Sequence, residues 1–457
     1  MLQEKGQILL IIFVAAAGSV SAKRLAIFGD SVSDNGNGTN PLVKATFEKL
    51  GFQNPPDYPP ERQYQTGRWS NGPTWPDYLI ARLNGYELHD RAVGGSTIRP
   101  TVNMVGDFYP NNLQSNKLGR TPTVLPGLKG QIDKYFADTG PATADDVFIV
   151  ESGNNDITAA VTGNFSGIVN FAKNAALDAP LEDAIERIRA GVEEALETIY
   201  ARGGRKFLVW GLVAIEQVPI VQTVNKYVNV LDEFFTHTYN DTTTQYGLKV
   251  SAAADAAIQA AISNFTAAHT ADPPLVQFFD LAGLQRSFKK QALELGFIDT
   301  VNGCVTGMIL TDYATSNQEN LGTLVTTFPG AATTLALSHD DMLRDKLNLD
   351  AYIIETLFGP VLKARPNNTV DFLGHFSENV FHLERNSTKS NKLGHVLGAA
   401  LTSLPIGEGG VNPYNFVPSC ITNAGSHLYH DEVHPTTKQH QLISDAFYKQ
   451  VQGTYFS

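Results

Sequence analysis

Short apolar runs alternate along this chain with longer segments whose apolar residues recur every three or four positions. Leu25-Ala26-Ile27-Phe28 is one such run, ended by Gly29, and residues 86–93, 147–150, 207–213 and 275–281 repeat the pattern. Each predicts a buried strand. Between them, residues 181–200 place Ile185, Ile188, Val192, Leu196 and Ile199 three or four apart with Glu and Arg interspersed, which predicts an amphipathic helix stopped by Gly203-Gly204. Helical spacing also marks residues 75–83, entered through Pro73 and Pro76, and residues 225–246, 252–268 and 438–451. Strands alternating with helices predict an α/β fold with a parallel sheet covered on both faces. In such a sheet, chemistry gathers at the carboxyl ends of the strands.

The rhythm fails from about residue 300. Residues 300–423 are rich in Thr, Gly and Asn, with one predicted helix at 340–357 and a Gly/Pro-rich stretch at 404–418. This reads as an insertion into one domain, and no internal repeat is visible.

The first residues change the picture of where the protein works. Lys5 precedes an apolar run over residues 8–17, and Val20-Ser21-Ala22 supplies small residues at a cleavage site. This predicts a secretory signal peptide over residues 1–22 and a mature domain over 23–457. No later stretch approaches the roughly 18 apolar residues that a membrane-spanning helix needs, so stable membrane insertion is not expected and the protein should be extracellular. Asn-x-Ser/Thr sequons at Asn164, Asn240, Asn264, Asn367 and Asn386 suit that route, whereas a glycan at the sequon of Asn37 would crowd Ser31. Two cysteines, Cys304 and Cys420, are an even number in an oxidising compartment, and one disulfide is the simple reading; two buried thiols are the alternative.

Composition narrows the function. The 457 residues are 42% hydrophobic and 18% charged, which excludes a disordered or fibrous chain, and the net charge of −12 argues against a nucleic-acid surface.

Four clusters of chemically capable residues fall where strands should end or the last helix begin. Ser31 follows Phe28-Gly29-Asp30, Gly94-Gly95 follows Ala92-Val93, Gly153-Asn154-Asn155-Asp156 follows the run at 147–150, and Asp431-Glu432-Val433-His434 precedes the terminal helix. A serine hydroxyl becomes a useful nucleophile when a histidine takes its proton, and a carboxylate on the second ring nitrogen orients that histidine. Asp431 and His434 are three apart, close enough for one helical turn to bring them side by side. The N–H of Ser31, the N–H of Gly95 and the amide of Asn155 could donate to an oxyanion. Taken singly, Ser31 reads equally as a helix cap, Gly94-Gly95 as a turn and Asn155-Asp156 as an Asx turn. His430 and His434 do not fit a zinc-protease helix, because Asp431 rather than Glu follows the first histidine and Pro435 disfavours helix at His434. Ser31 also lacks the Gly-x-Ser-x-Gly elbow of an α/β-hydrolase.

As an ordered set, Phe28-Gly29-Asp30-Ser31-Val32-Ser33-Asp34, Ala92-Val93-Gly94-Gly95-Ser96-Thr97, Gly153-Asn154-Asn155-Asp156 and Asp431-Glu432-Val433-His434-Pro435-Thr436 resemble the four blocks of GDSL-type SGNH hydrolases. The stretch Gly67-Arg68-Trp69-Ser70-Asn71-Gly72-Pro73-Thr74-Trp75 is similar to a further segment of the secreted lipase, phospholipase and acetylesterase branches. The likeness spans residues 24–281 and 419–451, with Val32 standing where the family name has leucine. It implies a flavodoxin-like three-layer α/β/α sandwich, Ser31 as nucleophile, His434 as base, Asp431 as its partner, and an oxyanion hole from Ser31, Gly95 and Asn155. No metal or cofactor is implied. The substrate class is a small-molecule, oligosaccharide or lipid ester, and acyl transfer or a non-catalytic carbohydrate-binding role are the alternatives. Trp69, Trp75, Tyr109 and Tyr429 could stack on sugar rings or belong to the packed interior.

Members of the family that the chain resembles often carry two cysteines close together just ahead of the Asp-x-x-His block. Here Cys304 and Cys420 resemble that pair held apart, which makes residues 305–419 an excursion pinched at its base and a candidate lid. Closing a loop of roughly 100 residues contributes about 4–5 kcal/mol in the chain-entropy model.

Overall fold

The structure, a computed structural model, describes residues 22–49, 57, 59, 64–104, 122–162, 177, 179–219, 221–222, 242–306, 415–416 and 424–456. The predicted leader, the sequons at Asn164, Asn240, Asn367 and Asn386, Cys420, the predicted helix at 340–357 and nearly all of the 305–419 excursion lie outside these residues.

Five strands form the central sheet: β1 (Lys23–Phe28), β2 (Tyr86–Asp90), β5 (Val147–Val150), β6 (Lys206–Trp210) and β7 (Leu275–Phe279). They pair in the order β2-β1-β5-β6-β7, all parallel, with Leu25 opposite Val147, Val147 opposite Lys206 and Lys206 opposite Leu275. Taken in chain order within this sheet, that is the doubly wound arrangement 2-1-3-4-5 of flavodoxin-like folds. Two short antiparallel strands, β3 (Thr101–Met104) and β4 (Pro122–Leu125), form a separate hairpin.

The runs of β1, β5 and β6 are apolar on both faces because both faces are covered. Ala26, Phe28, Phe148, Val150, Phe207 and Val209 face one layer, built from α3 (Leu128–Thr139), α4 (Asn154–Thr162), α5 (Ala179–Ala201) and α6 (Thr242–Ala268). Leu25, Ile27, Val147, Ile149, Leu208 and Trp210 face the other, built from α2 (Trp75–Ile80), α7 (Leu281–Lys290) and α8 (Thr437–Tyr455). Trp75 stacks on Trp210 at 4.1 Å between centroids, and Phe447 meets both rings, so α2, β6 and the carboxyl-terminal helix share one aromatic joint. This is the three-layer α/β/α sandwich that the sequence predicts.

Several boundaries differ from the sequence reading. The second strand ends at Asp90, because residues 91–95 turn across the sheet edge, where Val93 N–H donates to Gly29 O. Residues 242–268 form one helix, which joins the predicted segment at 252–268 to the end of the one predicted at 225–246, whose residues 225–241 lie outside the described residues. Its interior Gly247 allows close approach to Glu216, whose Cβ would lie 2.8 Å from a Cβ at that position. Regular structure also continues past residue 300. β8 (Asp299–Gly303) pairs in parallel with β11 (His427–Tyr429), while β9 (Val305–Thr306) pairs with β10 (Asn415–Phe416). Val305 N–H donates to His430 O, so β9 adjoins the residues that follow β11.

Candidate active site

β1 ends at Phe28, and the next residues turn sharply. The N–H groups of Ser33 and Asp34 donate to Asp30 O at 3.1 and 3.0 Å, and Val32 N–H donates to Asp30 Oδ1 at 3.0 Å. Asp30, rather than Ser31, therefore supplies the cap of this turn. Ser31 Oγ instead lies 2.7 Å from His434 Nε2.

The Asp431–His434 segment reaches that hydroxyl from the far end of the chain. It is an open bend and not the helical turn that the three-residue spacing suggested, because Pro435 follows and the Asp431 side chain organises the backbone. Asp431 Oδ1 accepts from Val433 N–H at 2.8 Å and His434 N–H at 2.7 Å; Asp431 Oδ2 accepts from His434 Nδ1 at 2.6 Å. His430 N–H closes the bend on His434 O at 2.7 Å, and Val305 N–H donates to His430 O at 2.8 Å. A Cβ on Gly303 would lie 2.3 Å from Asp431 O, so the residues flanking Cys304 press directly on the bend. Burial favours the neutral Asp431 carboxyl, but the charge and hydrogen bonds of His434 outweigh it and hold the group below the ordinary carboxylate range. An ionised Asp431 only accepts, which puts the imidazole proton on Nδ1 and turns the Nε2 lone pair toward Ser31.

The two remaining clusters meet beside Ser31. Gly95 has φ +80, a conformation open to glycine, and Gly94 has no room for a side chain, since a Cβ there would lie 2.0 Å from Trp69 Nε1. Gly94 N–H donates to Asp34 Oδ2 at 3.1 Å, and Asn155 Nδ2 donates to Ser96 O at 2.9 Å, leaving its second N–H for another acceptor. Gln131, which sequence reasoning missed, joins the two loops. Its Oε1 accepts from Gly29 N–H at 2.9 Å, while its Nε2 lies 2.9 Å from Gly29 O and 3.0 Å from Ser96 Oγ. No motif marked Gln131, because it sits inside the apolar pattern of α3.

A second missed feature is a set of buried carboxyl groups beneath the nucleophile turn. Glu151 Oε2 accepts from Ser33 Oγ at 2.9 Å and from Asp30 N–H at 3.3 Å, and Asn154 Nδ2 bridges Glu151 Oε1 at 2.7 Å and Asp30 Oδ2 at 3.1 Å. Burial, opposed by hydrogen bonds from Val32 and Asn154, pushes Asp30 up to about 6. Burial, and then the neighbouring charge of Asp30, raises Glu151 well above the usual carboxylate range. A carboxyl raised in the fold binds more protons than it does unfolded. Its contribution to stability is full below the ordinary value and is lost as pH rises toward the folded value. For Asp30 that window runs from 3.8 to about 6, and for Glu151 it begins at 4.5 and extends above. The melting temperature should therefore fall between pH 5 and pH 8. Glu151→Gln, which removes the buried charge and keeps an acceptor for Ser33, should shrink that fall. Parallel wild-type and variant melting curves at both pH values check this, and an identical pH dependence in the two proteins would contradict it.

The aromatic residues flanking the motifs divide as follows. Trp69, Trp75 and Tyr429 are buried and belong to the packed interior, not to an open sugar platform; Tyr109 lies outside the described residues. Asn264 is exposed on α6, as is Asn37 near the start of α1 (Thr39–Lys49). Cys304 is fully buried, and no free cysteine occurs among the described residues. No helix among those residues is long and apolar enough to cross a membrane.

Comparison with known proteins bears on this geometry. Residues 25–305, more than half of the chain, match the family model of the GDSL-like lipase/acylhydrolases. The chain is 27% identical to a phosphatidylcholine-sterol acyltransferase of Aeromonas hydrophila over 46% of its length and 51% of that protein. It is 24% identical to the inactive GDSL esterase/lipase-like protein 25 of Arabidopsis thaliana, over 44% of each chain. It is 32% identical to an Arabidopsis thaliana GDSL esterase/lipase over 28% of its own length and 42% of the relative's. The chain thus spans about half or less of the length of these curated relatives.

Proposed function

The chain belongs to the GDSL-like lipase/acylhydrolase family, and from that membership together with the geometry at Ser31 we propose a secreted carboxylic-ester hydrolase that works through an acyl-enzyme. Family membership alone supports an ester-hydrolysing enzyme, yet one relative is named as inactive. The observation that carries the catalytic reading is the unbroken chain Ser31 Oγ, His434 Nε2, His434 Nδ1, Asp431 Oδ2, with links of 2.7 and 2.6 Å.

In this reading His434 Nε2 takes the hydroxyl proton as Ser31 Oγ attacks the ester carbonyl, and Asp431 stabilises the imidazolium. The tetrahedral oxyanion draws on Ser31 N–H, Gly95 N–H and Asn155 Nδ2. Neither backbone N–H has a hydrogen-bond partner among the described residues, which supports that role. Collapse breaks the bond to the alkoxy oxygen, which leaves with the proton from His434. Water then attacks the acyl-enzyme, with His434 as base, and regenerates Ser31.

The similarity to an acyltransferase favours a second reading, in which an alcohol replaces water as the acceptor. Both use the same residues, and acetylated carbohydrate and glycerolipid stand as candidate substrates. Extracellular placement rests on the leader pattern and on the sequons, of which Asn264 is exposed. A Cys304–Cys420 bridge and a lid role for the 305–419 excursion, most of which lies outside the described residues, belong to the same proposal. The test is p-nitrophenyl esters from acetyl to palmitoyl, beside an acetylated xylo-oligosaccharide, with and without a competing primary alcohol. Turnover of at least one ester is expected, and the alcohol product distinguishes transfer from hydrolysis. No turnover across the whole series would overturn the reading.

A further inference from the structure

The stretch from Tyr64 to Trp75 holds none of the residues given a nucleophile, base, acid or oxyanion role above, yet it touches both the Asp431–His434 bend and the residues that follow it. Ser70 Oγ donates to Pro435 O at 2.9 Å, Asn71 Oδ1 accepts from Thr437 N–H at 2.9 Å, and Pro73 O accepts from Thr437 Oγ1 at 2.8 Å. A Cβ on Gly72 would lie 2.6 Å from Thr437 Oγ1, so glycine is required for this approach. The stretch is itself fixed at α2, where Arg68 makes a two-pronged pair with Asp77 at 2.9 and 3.1 Å.

Two side chains reach the acid–base pair itself. Tyr64 Oη donates to Asp431 Oδ2 at 2.9 Å, and the Trp69 ring lies 5.1 Å from the His434 ring, tilted 32°. With Val433 N–H and His434 N–H on Oδ1, and His434 Nδ1 on Oδ2, Tyr64 supplies the fourth hydrogen bond to a carboxylate that accepts about four. Tyr64 is 3% exposed and Trp69 5%, so water does not readily substitute for either. Tyr64 also meets His430 edge-on at 4.9 Å and Trp69 at 6.0 Å, which fixes the direction of its hydroxyl.

We propose that Tyr64 is a positioning residue of the reaction, locking the Asp431 carboxylate on the His434 ring while Trp69 holds the plane of that ring. The inference rests on the acid–base roles given above to Asp431 and His434. It follows from geometry: a carboxylate with all four acceptor sites engaged cannot rotate away from Nδ1 as the imidazole gains and loses its proton. Hydrogen bonds to charged groups are among the stronger ones, and losing this one is expected to cost roughly ten- to hundredfold in kcat.

Tyr64→Phe keeps the ring contacts and removes only the hydroxyl. With p-nitrophenyl acetate, kcat should fall about tenfold or more while KM stays unchanged. The same substitution in an Asp431→Asn background should have almost no effect, because the interaction it removes is already lost. Trp69→Phe, which keeps an aromatic face against His434, should retain more activity than Trp69→Ala. Wild-type kcat in Tyr64→Phe, or an equal loss in both backgrounds, would overturn the inference. If Tyr64→Phe fails to fold, the ranking of the two Trp69 variants decides, and equal activities would overturn it. Inactivity of the wild-type protein on every ester would instead overturn the function proposed for the site.

Discussion

Ser31→Ala should lose ester turnover by about 10⁴–10⁶-fold in kcat while melting within a few degrees of the wild type. Removing a nucleophile that acts as a unit with its base leaves only the rate supplied by binding and oxyanion donors. The fold should tolerate the change because Asp30 caps the turn, and the side-chain hydrogen bond of Ser31 is to His434. Among the described residues the hydroxyl has no second partner that alanine would forfeit. Steady-state kinetics on p-nitrophenyl acetate together with a thermal melt check both halves. Wild-type turnover would place the nucleophile elsewhere.

Asp431→Asn should be nearly as damaging, by about 10⁴-fold in kcat. The direction follows from the two oxygens. Oδ1 accepts two backbone N–H groups, so the carbonyl of an asparagine must occupy that place and its NH₂ must take the place of Oδ2. That NH₂ then faces His434 Nδ1 and Tyr64 Oη, where it can only donate. The imidazole is driven to the tautomer with its proton on Nε2, and Nε2–H confronts Ser31 Oγ with no lone pair to offer. The bend itself should persist, because both backbone bonds survive. The kinetic loss should therefore come with a nearly unchanged melt. A loss below tenfold would show that the carboxylate does not set the tautomer.

The strands and the site clusters were legible for one reason: each is encoded by neighbours in sequence. The apolar runs of β1, β5 and β6 predict buried strands, and a glycine, serine or asparagine just beyond a strand end marks the edge where a parallel sheet gathers its chemistry. What could not be read depends on contacts across the chain. Tyr64 meets Asp431 from 367 positions away, and Gln131 meets Gly29 from 102; neither local pattern distinguishes them from an ordinary surface tyrosine or a helix glutamine. Glu151 is hidden for a related reason. A carboxylate after an apolar strand reads as solvent-facing until Ser33 and Asn154 are brought over it. β8 was missed because its residues are polar and partly exposed, and its partner β11 enters more than a hundred residues later. The bend at Asp431 shows a third kind of failure, in which spacing allowed a helical turn and the aspartate side chain built a different one.

The most direct measurement is covalent capture of the nucleophile. The active enzyme is treated with a fluorophosphonate ester, digested, and its peptides are weighed. One adduct per chain on the peptide carrying Ser31, formed rapidly in the wild type and abolished in His434→Ala, is the predicted result. An adduct on a different serine, or an enzyme that hydrolyses esters at full rate while Ser31 remains unlabelled, would contradict the account.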